Sequence, residues 1–311
     1  MPPVAFHKGA FVPLEQATIG VMTHAFHYGT AVFEGVRGNW NEQEERLFIF
    51  RMREHYERLL EGCKVLHIQL PYSLDELCTI TVEMVERCGY TQDIYIRPIA
   101  YKSEERVATL NLTPLKNDFT VLAIPFGAYL NVEAAARCCT SSWRRMEDTV
   151  IPPSVKISGL YVNSILAKTE AVAAGFDEAI LLNQQGYVSE GTGENLFLVR
   201  KGKVVTPPLE DNILPGITRD TVITLAKNEL GIETVERHLR RADLYLADEL
   251  FLTGTAAHLT AVGSVDNHPL GDGQMGPLTR KLQNLYFDVI RGRSPRYLHW
   301  CTSAAPKLVS A

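Results

Sequence analysis

Hydrophobic and polar positions along this 311-residue chain change period several times, and each change marks an element. Arg46-Leu47-Phe48-Ile49-Phe50 reads as a strand, and residues 51–63 as a helix with Leu59 and Leu60 on its apolar face. Ser73-Leu74-Asp75-Glu76 is a helix start in which Ser73 caps the first turn and Glu76 completes a capping box. That helix runs to Cys88 and stops at Gly89. Tyr95–Tyr101 and Phe119–Ile124 follow as strands, so the first half mixes strands and helices about a sheet.

Pro125-Phe126-Gly127-Ala128-Tyr129-Leu130 breaks this pattern and reads as a connection between domains. Beyond it, a helix over 160–174 carries Leu160, Ile165, Leu166 and Val172 and ends at Gly175. Strands Ala179–Asn183 and Tyr187–Glu190 flank a Gln184-Gln185-Gly186 hairpin turn. Leu196–Arg200 turns at Lys201-Gly202-Lys203 into Val204–Thr206. A helix over 217–230 stops at Gly231, and Glu249–Thr253 is a late strand ending in Gly254-Thr255-Ala256-Ala257. The tail after Gly292, with its Ser/Ala-rich end, carries no pattern that specifies an element.

The length favours two domains over one. A net charge of −5 leaves no basic stripe for nucleic acid. No apolar run is long enough to span a bilayer, and the first residues lack the basic start and apolar core of a signal peptide. The expected address is therefore cytoplasmic. The six cysteines form no C-x-x-C pair, and no His stands at zinc-ligand spacing, so neither a disulfide framework nor a metal site is expected. Adjacent Cys138 and Cys139 are expected on a strand, one buried and one near the surface.

Five groups carry candidate chemistry. Lys156, in Val155-Lys156-Ile157-Ser158-Gly159-Leu160-Tyr161, is an amine in apolar surroundings, which suits condensation with an aldehyde but also suits a lysine that snorkels to solvent. Glu190 ends a strand at Gly191-Thr192-Gly193. There it is either a turn-capping acid or the partner that keeps a pyridine nitrogen protonated. Pro215-Gly216-Ile217-Thr218 opens a helix whose N–H groups favour an anion such as phosphate, and it equally fits an ordinary helix start. Gly254-Thr255-Ala256-Ala257 offers a second turn of small residues. Arg58 could reach the same anion or pair with Glu54 on the helix surface.

Together these pieces match a known pattern. Glu190, Asn195, Leu196-Phe197, Val204-Val205-Thr206, Leu214-Pro215-Gly216-Ile217 and Arg219 stand at the spacing of the class IV aminotransferase signature. His27-Tyr28-Gly29-Thr30-Ala31-Val32-Phe33-Glu34-Gly35-Val36-Arg37 and Tyr95-Ile96-Arg97-Pro98 resemble the branched-chain amino acid aminotransferases within that class. The resemblance runs from about residue 20 to residue 290.

The resemblance implies an α+β, two-domain, fold-type IV enzyme of pyridoxal 5'-phosphate, working at least as a homodimer. The small N-terminal α+β domain would cover 1–125, with an interdomain loop over 126–136. A larger cofactor-binding domain with a barrel-like sheet would cover 137–311, and the cofactor would lie in the cleft between the two. It implies that Lys156 holds the cofactor as a Schiff base and shuttles a proton. Tyr161 would hydrogen-bond the ring oxygen, Glu190 would meet the ring nitrogen, and Arg58, Ile217, Thr218 and Thr255 would seat the phosphate.

For the substrate it implies Tyr95, Arg37, Thr255 and Ala256 at the α-carboxylate. Phe33, Phe126 and Tyr129 would form the side-chain pocket, joined by Tyr28 and Leu110 of the partner subunit. Arg97 would meet the distal carboxylate of glutamate. Two departures touch that pocket: Phe126 stands where several members have tryptophan, and Ser103–Ala108 replaces a glycine-rich loop.

The expected reaction passes the amino group of leucine, isoleucine or valine to 2-oxoglutarate. The same fold also serves D-amino acid and (R)-amine transaminases and aminodeoxychorismate lyases. The Tyr28-Gly29, Phe33-Glu34-Gly35 and Arg37 set favours the L-branched-chain reading over these. A dinucleotide site on Gly191-Thr192-Gly193 would need a helix next, whereas Asn195–Val199 reads as a strand.

Overall fold

The computed structural model of the protein describes residues 3–127 and 129–306. Two compact units emerge: Met1–Gly127 with Val155–Gly159 and Asp288–Ala311, and Ala128–Ser154 with Leu160–Phe287. The division after Gly127 falls at the Pro125–Leu130 break. The second unit differs from the continuous 137–311 expected, because 155–159 and 288 onward return to the first. Lys156 thereby belongs to the first unit.

The first unit is built on an eight-stranded sheet in the order Cys301–Ala304, Arg46–Phe50, Val36–Asn41, Ile94–Lys102, Asn117–Pro125, Val4–His7, Ala10–Pro13. Ala31–Phe33 pairs beside Val36–Asn41 on the same strand, Ile94–Lys102. The register is continuous through both, from Ala31 opposite Tyr101 to Arg37 opposite Tyr95. The strand pairing, not the register, lapses around Glu34, whose N–H reaches the Pro98 carbonyl at 2.9 Å while Pro98 has no N–H to return.

Helices Met52–Val65 and Leu74–Cys88 bury Tyr56, Leu59, Leu77 and Met84 against one face, with Val32, Ile94 and Ile96 of the sheet. The Ser73–Glu76 capping box forms as expected, with the Glu76 N–H on Ser73 Oγ at 3.3 Å and the Ser73 N–H on the Glu76 carboxylate at 2.7 Å. The tail is more ordered than its composition suggests. Cys301–Ala304 pairs with Arg46–Phe50, and the Arg51 guanidinium lies 4.9 Å from the centre of the Trp300 ring. The part of that tail from Lys307 onward lies outside the described residues.

The second unit carries a nine-stranded sheet curled into a half-barrel. Its order is Val188–Gly191, Glu178–Leu182, Ala136–Arg144, His258–Val265, Glu249–Gly254, Asn195–Arg200, Lys203–Thr206, Thr234–Glu236, with His268–Pro269 paired to the edge of His258–Val265. Ala136–Arg144 and Glu178–Leu182 run parallel, which requires the crossover that helix Tyr161–Ala173 supplies. Alternation sends Cys138 into the core with Ile180, Leu196 and Leu252, and Cys139 under Ala167 and Ala171 of that helix. Both cysteines are therefore buried, where one near the surface was expected.

The same helix buries its small residues, Ser164, Ala167 and Ala171, and turns Val162, Ile165 and Val172 outward. No described helix is long and apolar enough to cross a membrane.

Ser73→Ala should lower the free energy of unfolding by about 1 kcal/mol, because it strips the helix Leu74–Cys88 of its reciprocal cap. Equilibrium urea unfolding measures this, and a curve superimposable on the parent would show that the box contributes nothing.

Candidate active site

Alternation along the first sheet sorts the candidate residues by face. Phe33 and Arg37 lie on the same face as Tyr95 and Arg97 across the shared register, whereas Val32, Glu34 and Val36 turn to the helices. On the first face, Arg37 is buried and donates from Nη1 to the carbonyls of Phe126 at 3.0 Å and Gly127 at 2.9 Å. Phe126 in turn lies 5.3 Å from the Tyr95 ring. Arg97 lies over two rings, 4.4 Å from the centre of Phe33 and 5.1 Å from that of Tyr95, and donates to the Tyr95 hydroxyl at 3.0 Å. Among the described residues it meets no carboxylate, and its Nε is buried without a hydrogen-bond partner.

Lys156 joins this group from its own short segment. Its carbonyl accepts the Phe33 N–H at 3.1 Å, Ile157 bridges to Val32, and Nζ lies 5.3 Å from the Phe33 ring centre. The side chain is half-buried and does not snorkel clear of the protein.

The opposite face explains Arg58. Gly62 lets helix Met52–Val65 close onto the sheet, since a Cβ there would stand 2.7 Å from Val32 Cγ1 and 2.9 Å from Val155 Cγ1. One and two turns earlier on the same helix face, Arg58 and His55 meet the fully buried Glu34. Arg58 Nε donates at 2.7 Å and Nη2 at 2.8 Å, one to each carboxylate oxygen, and His55 Nδ1 is at 2.7 Å. Desolvation opposes the charge on Glu34, but Arg58 and then His55 overcome it and hold the carboxyl far below the usual range. Arg58 is thus not a surface partner of Glu54, which pairs with Arg51 instead at 2.8 Å.

Tyr28 and Leu110 stand apart from these groups. Both are exposed, and the Tyr28 hydroxyl accepts the Ala108 N–H at 3.0 Å. Ala108 takes φ 58°, a left-handed conformation that favours glycine.

In the second unit, Glu190 is buried and receives N–H groups from three segments. Arg145 Nη2 lies 2.6 Å from Oε1, and Oε2 accepts from Asn195 Nδ2 at 3.0 Å and from the Leu214 N–H at 3.1 Å. Asn195 also fixes the start of helix Ile217–Leu230. Its side chain packs so closely on the N-cap Gly216 that a Cβ there would collide with Oδ1. No side chain caps that helix, and Thr218 is buried in its first turn.

Thr255 and Ala256 form the turn between Glu249–Gly254 and His258–Val265, and the Ala256 carbonyl accepts the Tyr129 N–H at 3.1 Å. Tyr161 opens the helix Tyr161–Ala173. Gly191 and Gly193 are followed by strand Asn195–Arg200, so no dinucleotide loop forms.

The amino-transferase class IV family model matches residues 31–265. The chain belongs to the class IV aminotransferases. It is 50% identical over 307 residues to a probable branched-chain-amino-acid aminotransferase of Aquifex aeolicus, covering 97% of each chain. To the branched-chain-amino-acid aminotransferase of Escherichia coli strain K12 it is 40% identical over 296 residues, covering 94% of each. Among solved structures, the branched-chain aminotransferase of Thermoproteus uzoniensis with norvaline superposes with a TM-score of 0.93 at 43% identity, over 97% of this chain and 99% of that one. The branched-chain amino acid aminotransferase of Thermobaculum terrenum in its PLP form gives 0.93 at 38%, over 98% and 99%. The fold is accordingly fold-type IV.

The charges that hold the signature residues are not legible in their spacing. Glu34, His55 and Arg145 act across long sequence separations. Glu194 stands inside the signature, one residue before Asn195, yet the motif gives no sign of its state. It is buried, and Glu178 nearby already takes Lys168 Nζ at 2.7 Å and the Thr192 hydroxyl at 2.7 Å. Burial first, then the charge of Glu178, pushes Glu194 up to about 8, against the Gly193 N–H it accepts at 3.1 Å.

The native protein therefore holds this proton where the unfolded chain has released it. Glu194 contributes stability below the ordinary carboxylate value and withdraws it as pH rises through about 8. Glu194→Gln should lose less stability than the parent between roughly pH 5 and pH 8. Thermal unfolding across that interval gives the comparison, and parallel curves would contradict the assignment.

Proposed function

We propose that the protein is an L-branched-chain amino acid aminotransferase using pyridoxal 5'-phosphate and exchanging amino groups between leucine, isoleucine or valine and 2-oxoglutarate. The observation that carries this reading is Arg97, which lies on the rings of Phe33 and Tyr95 and meets no carboxylate among the described residues. An apolar wall that contains one such cation suits an aliphatic side chain and, separately, a second carboxylate. The names of the relatives point the same way.

The residues present fit the cofactor. Glu190 is an anchored carboxylate, helix Ile217–Leu230 starts without a side-chain cap, and Glu34 pins the Arg58 guanidinium. Lys156 brings a half-buried amine to the Phe33 ring. When bound, pyridoxal phosphate supplies an aldehyde that takes up the amino group and a ring that draws electrons from the bond broken at Cα. Lys156 Nζ is the amine that holds the aldehyde and carries a proton. Glu190 meets the ring nitrogen and Tyr161 the ring oxygen.

Arg58, the helix start at Ile217 and Thr218, and Thr255 seat the phosphate. Arg37 and Tyr95, with the N–H groups of Thr255 and Ala256, orient the α-carboxylate. Phe33, Phe126 and Tyr129 exclude water from the side chain.

A homodimer in the cytoplasm completes the reading. Val21, Phe26 and Leu110 are exposed to 77%, 68% and 83%, an apolar surface that a second copy would cover. His24 joins their segments through the Thr109 carbonyl at 2.8 Å. A second copy over this surface would use Tyr28 and Leu110 as pocket wall. All six cysteines are free, as a reducing compartment would keep them.

Borohydride reduction followed by peptide mapping should place the pyridoxyl group on Lys156. A label on Lys168, or an active Lys156→Ala enzyme, would sink the assignment.

Arg97→Ala should weaken the half-reaction with glutamate by roughly 10²-fold, the scale of a lost hydrogen bond to a charged group, and change the leucine half-reaction much less. Single-turnover spectra separate the two. An equal fall in both would mean that Arg97 serves the α-carboxylate or the architecture.

A further inference from the structure

Arg145 is a buried cation whose polar partners lie in segments that the proposed function uses. It follows directly on strand Ala136–Arg144, and its N–H donates to the Leu182 carbonyl at 2.9 Å, which fixes the backbone before the side chain departs. The residue is 5% exposed. Nη2 lies 2.6 Å from Glu190 Oε1, Nε donates to the Asn212 carbonyl at 3.3 Å, and Nη1 donates to Ser164 Oγ at 3.4 Å. Ser164 stands one turn after Tyr161 on the same helix. Asn212 lies in the stretch leading to Leu214, whose N–H also holds Glu190, and to the helix start at Ile217. One guanidinium thus ties the Tyr161 helix, the Glu190 strand and the approach to the proposed phosphate seat.

A salt bridge this deep has a specific electrostatic consequence. A buried carboxylate facing a pyridine nitrogen has two states close in energy: carboxylate with pyridinium, or neutral acid with neutral pyridine. Low dielectric favours the neutral pair, because neither charge is then desolvated. Glu194, which feels the charge of Glu190, adds to that preference whenever it ionises. A fixed positive charge on Oε1 of Glu190 reverses the preference, since it stabilises only the ionised carboxylate. Asn195 and the Leu214 N–H position the other oxygen but bring no net charge.

We infer that Arg145 is a positioning residue whose charge keeps Glu190 ionised and so keeps the proton on the ring nitrogen of the cofactor. This rests on the cofactor reading above and extends it from Glu190 to the residue behind it. Arg145 itself need touch neither cofactor nor substrate.

The test uses full-length protein loaded with pyridoxal phosphate labelled with 15N at the ring nitrogen, whose chemical shift reports its protonation. Parent, Arg145→Gln and Arg145→Lys are compared at one neutral pH. Gln keeps hydrogen-bonding capacity at the site and removes the charge, whereas Lys keeps the charge and loses the planar fork. The parent and the Lys variant should show a protonated ring nitrogen, and the Gln variant should shift towards the unprotonated position. A Gln variant with the parent's shift, or a Lys variant matching the unprotonated form, overturns the inference. Should the Gln variant fail to fold, the Lys variant decides alone, a protonated ring supporting the inference and an unprotonated one refuting it. A parent protein that binds no label refutes the cofactor reading itself, an outcome distinct from bound label with the wrong shift.

Discussion

The strand Ile94–Lys102 holds Ala31–Phe33 and Val36–Asn41 in one unbroken register, and the organisation of the first unit follows from that constraint. Alternation then leaves no choice of face. Phe33 and Arg37 must join Tyr95 and Arg97, and Glu34 must turn to the helices. A slip by one residue would put the carboxylate among the aromatic rings and bring phenylalanine to Arg58. Pro98 opens the ladder only where Glu34 stands, so the pairing loosens at the site without losing its count.

Each unit pairs a buried carboxylate with an arginine from a distant part of the chain. Glu34 has Arg58 with His55, and Glu190 has Arg145. A carboxylate this deep without its partner is strongly destabilising, on the order of 3–5 kcal/mol, while the complete pair offers little net stability. Stability alone therefore does not account for such pairs. Their value lies in holding an arginine fork or a carboxylate in one orientation. Glu194 is the contrasting case: it lies beside Glu178 rather than an arginine and keeps its proton instead.

Much of this was legible in the sequence. The capping box at Ser73, the stops at Gly89 and Gly231, and the helix Ile217–Leu230 depend on local chemistry, and local chemistry is what spacing records. The signature from Glu190 to Arg219 was legible for the same reason. What was hidden is non-local. Strand Ala136–Arg144 mixes cysteine, serine, threonine and arginine because one face meets the barrel core and the other a helix of small residues. The tail strand Cys301–Ala304 exists only because Arg46–Phe50 offers it an edge. Arg58 looked like a helix-surface residue until Gly62 brought its helix against Val32, with Glu34 two residues along the chain.

The proposed reaction is the passage of an amino group from an aliphatic amino acid to a dicarboxylic acceptor. Incubating the protein and its cofactor with 15N-labelled L-leucine and unlabelled 2-oxoglutarate, then weighing the products by mass spectrometry, observes that event directly. The expected product is glutamate carrying the label, with a matching amount of the branched 2-oxo acid and no transfer from D-leucine. Unlabelled glutamate only, or equal transfer from the D-enantiomer, would contradict the central claim.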